Sequence, residues 1–131
     1  MRRNLFLITM SLGLSSPAFS AVPDYAGCAE QDYVTLAGPS VTIEVQGSGY
    51  SPACLKIKKG TEVTIPASKK HPLQGARDFG GVANPITSNE GEHLRDQVVS
   101  LNDVGFYGYY CTKHGDAESG DGMAGMIWVV E

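Results

Sequence analysis

Basic charge is scarce in this sequence, and so are histidine, tryptophan and long apolar runs. Ten Lys and Arg stand against 14 Asp and Glu, a net charge of −4. That sign is wrong for a surface that must neutralise phosphates, so nucleic acid is not an expected partner. The longest apolar run, Leu5 to Leu14, covers ten residues. A helix needs about 20 to cross a bilayer, so no membrane span is expected. Three histidines with no His-x-His pair are too few for several histidine-rich metal sites. Cysteine occurs three times, and an odd count leaves one thiol over after any single bridge. There is no internal repeat, low-complexity tract or linker, and 131 residues make one domain. What is plentiful is glycine, with 16 residues, alongside seven prolines. That usage favours turns over long helices.

The N-terminus reads as an address. Met1-Arg2-Arg3 is a short cationic start, and the apolar run follows it. Ser15-Ser16-Pro17 breaks that run, and Ala18-Phe19-Ser20 places small residues at a cleavage site. Residues 1–20 are therefore expected to be a Sec-type signal peptide, cleaved after Ser20, and residues 21–131 the mature domain. Tyr25-Ala26-Gly27-Cys28 has a faint lipobox character, but Pro17, Pro23 and Asp24 separate it from the apolar run, which disfavours lipidation. Cleavage removes two arginines and no acid, so the mature 111 residues carry a net charge of −6. The expected location is periplasmic or secreted, an oxidising compartment in which a disulfide persists.

The mature chain alternates with the period of strands. Val41 to Gln46, Leu55 to Lys58 and Glu62 to Ile65 alternate apolar and polar residues. Asp96 to Leu101, the aromatic Phe106 to Tyr110 and the apolar Met126 to Val130 are further candidates. Short strands separated by Gly, Pro and Asn signals predict an all-β sandwich. Residues 67–95 show little periodicity and are expected to form a long connection, with room for a short helix.

The chemistry-bearing residues cluster near the C-terminus. Cys111, His114 and Met123 fall between the last two expected strands, and so on one loop. A thiolate, an imidazole and a thioether together suit copper, and a trigonal His₂Cys site with a weak axial Met is the arrangement of electron-transfer copper. That set needs a second imidazole. His71 lies six residues after the Glu62–Ile65 strand and 40 before Cys111, far enough for intervening strands to return it to the loop. His93 sits in the polar run Asn89 to His93 and reads as a solvated loop residue. Met126 is the alternative thioether and reads as an ordinary strand residue. Asp116, Glu118 and Asp121 give the loop three carboxylates and no base. They form a solvated loop or a docking surface for a cationic partner, and their spacing does not match a calcium-binding EF-hand. Tyr107, Tyr109 and Tyr110 read as packing residues with one face semi-exposed, and Tyr110, beside Cys111, is the alternative candidate for a coupling from the thiolate to the surface.

Gly105 to His114, with its aromatic strand and Cys-x-x-His, and Gly122-Met123-Ala124-Gly125 leading into Met126 to Val129 resemble the cupredoxin family, in particular its plastocyanin, pseudoazurin and amicyanin group. Tyr50-Ser51-Pro52, Leu55 to Ile57, Gly60 to Ile65 and His71 follow the same order, so the resemblance spans about residues 41–131. It implies a Greek-key β-sandwich, cupredoxin-like, holding one type 1 (blue) copper ion. It also implies a soluble one-electron carrier, cycling Cu(II)/Cu(I), with His71, Cys111, His114 and Met123 as ligands and redox proteins as transiently docking partners. A monomer without enzymatic activity is expected. A periplasmic copper storage or delivery protein is the alternative. Eight residues, Gly115 to Gly122, separate His114 from Met123, where the family has four or fewer. Pro72 stands where the family has an Asn that ties the first histidine to the cysteine loop. That tie then falls to Ser68 or Gln74, or is absent. Cys28 and Cys54 both precede the site strands. They are expected to pair over a 27-residue span, leaving Cys111 reduced.

Overall fold

A computed structural model describes residues 21–131. The expected signal peptide, residues 1–20, lies outside the described residues. Ten strands follow one 3-10 turn at Glu30–Asp32: β1 Val34–Thr35, β2 Ser40–Thr42, β3 Glu44–Gln46, β4 Gly49–Ser51, β5 Cys54–Lys58, β6 Thr61–Ile65, β7 Leu73–Gly75, β8 Gln97–Leu101, β9 Gly105–Gly115 and β10 Gly122–Val130. No helix among the described residues is long and apolar enough to cross a membrane.

Two sheets face each other across the core. The larger has the order β1-β5-β10-β9-β7, the smaller β2-β6-β8, and β3 pairs with β4 as a separate hairpin. The last strand therefore lies at the middle of its sheet, parallel to β5 and antiparallel to β9. Its continuous apolar character is the pattern of a strand covered on both faces. The alternation is visible in what each face buries. Met123, Ile127 and Val129 join Tyr107, Tyr109 and Cys111 of β9 in the core between the sheets, with Leu55, Ile57, Val63, Ile65 and Leu101. Ala124 and Met126 point the other way, into a second cluster with Tyr25, Cys28, Ala76 and Phe79. The all-β sandwich expected from the sequence is thus the fold observed.

Several local expectations change. Val41 to Gln46 is two strands, not one. Ile43 lies between them with 1% exposure, and β2 joins β6 while β3 turns away to β4. The apolar–polar alternation runs unbroken through Ile43, so it cannot report that the chain changes partner there. The connection 67–95 contains β7, a three-residue strand paired with β9, and no helix. Strands this short carry too little periodicity to be seen in a sequence.

Cys28 and Cys54 form a disulfide with Cα atoms 5.7 Å apart. Cys28 is thereby a cross-link and not a free thiol for a lipid. Cys111 is the free cysteine, and it is buried. The bridge fastens the N-terminal segment to the start of β5. In the chain-entropy model a loop of this length contributes about 3.5 kcal/mol. Replacing both cysteines with serine should lower the unfolding free energy by about that amount, read from urea denaturation midpoints and slopes; an unchanged midpoint would show that the bridge does not constrain the unfolded chain.

Candidate metal centre

The centre lies at one end of the β9–β10 hairpin. The sequence places Cys111, His114 and Met123 on a loop; the structure carries both strands further. Cys111 and His114 are inside β9, and Met123 is inside β10. Residues 112–114 are polar because this end of the sheet faces solvent, and polarity alone reads as a loop. The ladder nevertheless continues, with Gly115 paired to Gly122 beyond a register shift. Gly122 has φ 80°, and a Cβ there would collide with the His114 carbonyl oxygen. Only glycine allows the strands to close at this point.

Three donor atoms converge. The Cys111 Sγ lies 3.6 Å from His114 Nδ1 and 3.9 Å from His71 Nδ1. The two imidazole centroids are 5.3 Å apart, and all three donor atoms fall within 4.8 Å of one another. A metal–sulfur bond of ~2.3 Å and a metal–nitrogen bond of ~2.0 Å, opened to ~120°, put S and N ~3.7 Å apart. The observed separations are those that a trigonal ion spans. Among the described residues, this is the one group of three or more such donors. Both imidazoles present the same nitrogen, Nδ1, towards the sulfur.

Burial grades across the set. Cys111 is fully buried, His71 is partly covered and His114 is exposed. Met123, fully buried, shares the core face with Cys111, whereas Met126 lies in the opposite cluster. The strand alternation therefore separates the two thioethers: only Met123 is on the side of the thiol. Tyr50 and Tyr109 pack edge to face, 4.9 Å between centroids, in the same core as Cys111. Burial pushes both phenols above their ordinary range, so they stay neutral. Tyr110 faces away, against the second cluster.

His71 comes from the loop between β6 and β7, and several bonds fix it. Its N–H donates to Ser68 Oγ at 3.1 Å, and its carbonyl accepts from the Ser68 N–H at 3.1 Å. The Thr112 N–H donates to the Pro72 carbonyl at 3.0 Å, and Leu73 pairs with Cys111. Neither candidate side chain for the tie that Pro72 displaces reaches the cysteine strand: Ser68 bonds only the backbone of His71, and the link across is the Pro72–Thr112 backbone bond. Gln74 instead binds the Ser88 and Gly91 carbonyls. Loss of solvent at His71, and then repulsion from His114, Lys70 and Lys113, lowers its pKa below the ordinary imidazole value. A neutral imidazole is the form that ligates a metal.

His93 is outside the cluster and is not the solvated residue its polar surroundings suggest. Its backbone exchanges both hydrogen bonds with Leu73, at 2.9 and 2.7 Å, and its Nε2 lies 2.7 Å from the Ile86 carbonyl. Together with the Thr112 hydroxyl, which donates to Glu92, it latches the 84–93 segment to β7 and β9. The acidic loop is also more than a solvated run. The Asp116 Oδ1 accepts from the N–H groups of Glu118 and Ser119 at 2.9 Å, and from the Ser119 hydroxyl at 3.1 Å. The Asp116 N–H donates to Asp121 O, and Gly120 N–H to Asp116 O. Those bonds hold the Asp116 carboxyl below its ordinary pKa, the Ser119 and Glu118 amides first.

No protein-family model and no curated protein matches the chain. Solved structures do. A copper-containing nitrite reductase from Thermus scotoductus SA-01 aligns with a TM-score of 0.56 and 18% identity, over 83% of this chain and 31% of the reductase. The chain thus spans about a third of that enzyme's length. A pseudoazurin from Sinorhizobium aligns at 0.49 and 26% identity, over 70% of this chain and 74% of the other. An amicyanin from Paracoccus versutus aligns at 0.48 and 20%, over 85% and 93%. The likeness to the reductase is one of fold, the cupredoxin sandwich.

Two outcomes test the surroundings of the cluster. His93→Ala should cost about 1–2 kcal/mol of unfolding free energy, because the Ile86 carbonyl loses its partner. A variant as stable as the parent in urea would remove the latch. Asp116 has a folded pKa below its unfolded value, so its contribution is present at neutral pH and is lost as pH falls through the acid range. The stability gap between the parent and Asp116→Asn should therefore be full at pH 7 and close below about pH 4, as followed by thermal melts across pH.

Proposed function

We propose that this chain, a cupredoxin by fold, is a type 1 copper protein that carries single electrons in the periplasm or outside the cell. The observation that carries the reading is the Cys111 sulfur flanked by the Nδ1 atoms of His71 and His114 at 3.9 and 3.6 Å. These three residues would hold the ion, and Met123, on the same face of the sheet as Cys111, would offer a further thioether donor. Copper, when bound, supplies the one-electron couple.

The chain's own residues supply the rest. Cys111 pairs with Leu73 of β7, Met123 is packed in the core from β10, and Ser68 and the Pro72–Thr112 bond hold His71. Donors fixed in this way move little between oxidation states, which keeps the reorganisation cost of electron transfer low. The Tyr50–Tyr109 core excludes water from the thiolate side. His114, the exposed ligand, offers its imidazole edge to solvent and is the nearest route for an electron to or from a docked partner. Redox encounters of this kind use small, short-lived interfaces. A nitrite reductase or multicopper oxidase would need further histidine-rich copper sites. This chain has three histidines, and His93 is engaged with Ile86.

Residues 1–20 are the export signal in this reading, residues 21–131 the copper domain, and the mature protein works as a monomer. The oxidising compartment suits the Cys28–Cys54 bridge.

Loading the mature protein with Cu(II) should give an intense visible thiolate band and a narrow copper hyperfine splitting in EPR. Cys111→Ala should abolish the band, His71→Ala should bleach or shift it, and His93→Ala should leave it in place. A colourless product, or a band that survives Cys111→Ala, would sink the proposal. Reversible one-electron voltammetry of the loaded protein separates a carrier from a storage or delivery protein, whose copper would not cycle without leaving the site.

A further inference from the structure

The eight residues between His114 and Met123 do not stand alone. The N-terminal segment crosses them from outside. The Ala26 N–H donates to the Ser119 carbonyl at 3.1 Å. Gly120, at φ 69°, lies so close that a Cβ would collide with the Ala26 nitrogen and come within 2.9 Å of the Tyr25 ring. Tyr25 is fully buried there, edge-on to Phe79 at 5.5 Å between centroids. The Arg77 guanidinium lies over Phe79 at 4.7 Å and near Tyr25 at 5.9 Å, and its Nη1 donates to the Glu118 carbonyl. Three consecutive loop residues, Glu118 to Gly120, are thus held by groups from two distant parts of the chain.

Two details show that the contact is built. Ala26 takes φ 54°, the one positive-φ residue other than glycine among the described residues. A left-handed alanine costs about 1 kcal/mol or more and persists where its surroundings over-determine it. Two residues later, Cys28 fixes the segment to Cys54 at the start of β5. The strap therefore runs from a covalent anchor to the top of the connection.

We infer that Tyr25 and Arg77 are positioning residues for the metal centre: by clamping Glu118 to Gly120, they set how His114 and Met123 stand relative to each other. A longer connection has more conformations to lose, and the strap removes them from outside. The inference rests on the copper reading for its spectroscopic consequence only; the clamp itself is a property of the metal-free chain.

The test uses Arg77→Gln, Tyr25→Ala and the conservative Tyr25→Phe, whose lost hydroxyl has no partner in the parent. In metal-free protein, amide hydrogen exchange at Asp116 and Gly120 should become about tenfold faster in the first two variants. Exchange in β6 should stay unchanged, and Tyr25→Phe should match the parent. With Cu(II) loaded, the first two variants should also shift the hyperfine splitting and the relative intensities of the visible bands. Unchanged exchange at Asp116 and Gly120, or an equal loss of protection in β6, would overturn the clamp. A loosened loop with an unchanged Cu(II) spectrum would overturn the positioning role. If the parent itself shows no thiolate band, the copper reading fails, and the exchange experiment still decides whether Tyr25 and Arg77 hold the loop.

Discussion

The pairing of β9 with β10 is the interaction on which the rest of this molecule depends. It sets Gly105 to Gly115 against Gly122 to Val130 and so brings the thiol, one imidazole and the thioether to one end of one hairpin. The same two strands lie inside the five-stranded sheet, with β5 on one side and β7 on the other. Two buried clusters cover their faces. Cys111 and Met123 therefore stand on strands that are covered on both faces. Cys111 is further tied to Leu73 of β7 and His71 to Ser68, which is the physical sense in which this part of the centre is preorganised.

A second constraint is the gradient of burial. A thiolate needs protection from water and oxidants, and Cys111 has it, beneath Tyr50 and Tyr109. In the proposed reading an electron must still reach the surface, and His114 is exposed. A single strand serves both needs because its buried core end and its solvated tip are only a few residues apart. The Tyr25 strap, anchored by the disulfide, and Arg77 act on the turn from Asp116 to Asp121 that closes the hairpin. The odd cysteine number thus divides by function, two residues for a cross-link and one for the centre.

Much of this was legible in the chain. Alternation marked β5, β6 and β8 closely, because each has one face in the core and one outside. The donors were legible because Cys, His and Met in Cys-x-x-His and Gly-Met-x-Gly spacing carry chemistry that few other residues share. β1, β4 and β7 were not, being two or three residues long with no period to detect. The outer ends of β9 and β10 were hidden for a different reason. Lys113 and His114 are exposed, so nothing apolar announces the strand. The role of His93 was hidden because its partner, the Ile86 carbonyl, is a backbone group that every residue type offers alike.

The sequence by itself determined the class of fold and the choice of donor types. These follow from local period and from side-chain chemistry, which are properties of residues near one another in the chain. Only the tertiary structure decided that His71 arrives beside Cys111, that Ser68 holds it, that Met123 and not Met126 shares the thiol's face, and that Tyr25 and Arg77 clamp the acidic turn. Each of those outcomes is a contact or facing between groups whose meeting depends on how whole strands register. Register is set by the sum of packing across two sheets, and no single segment encodes it.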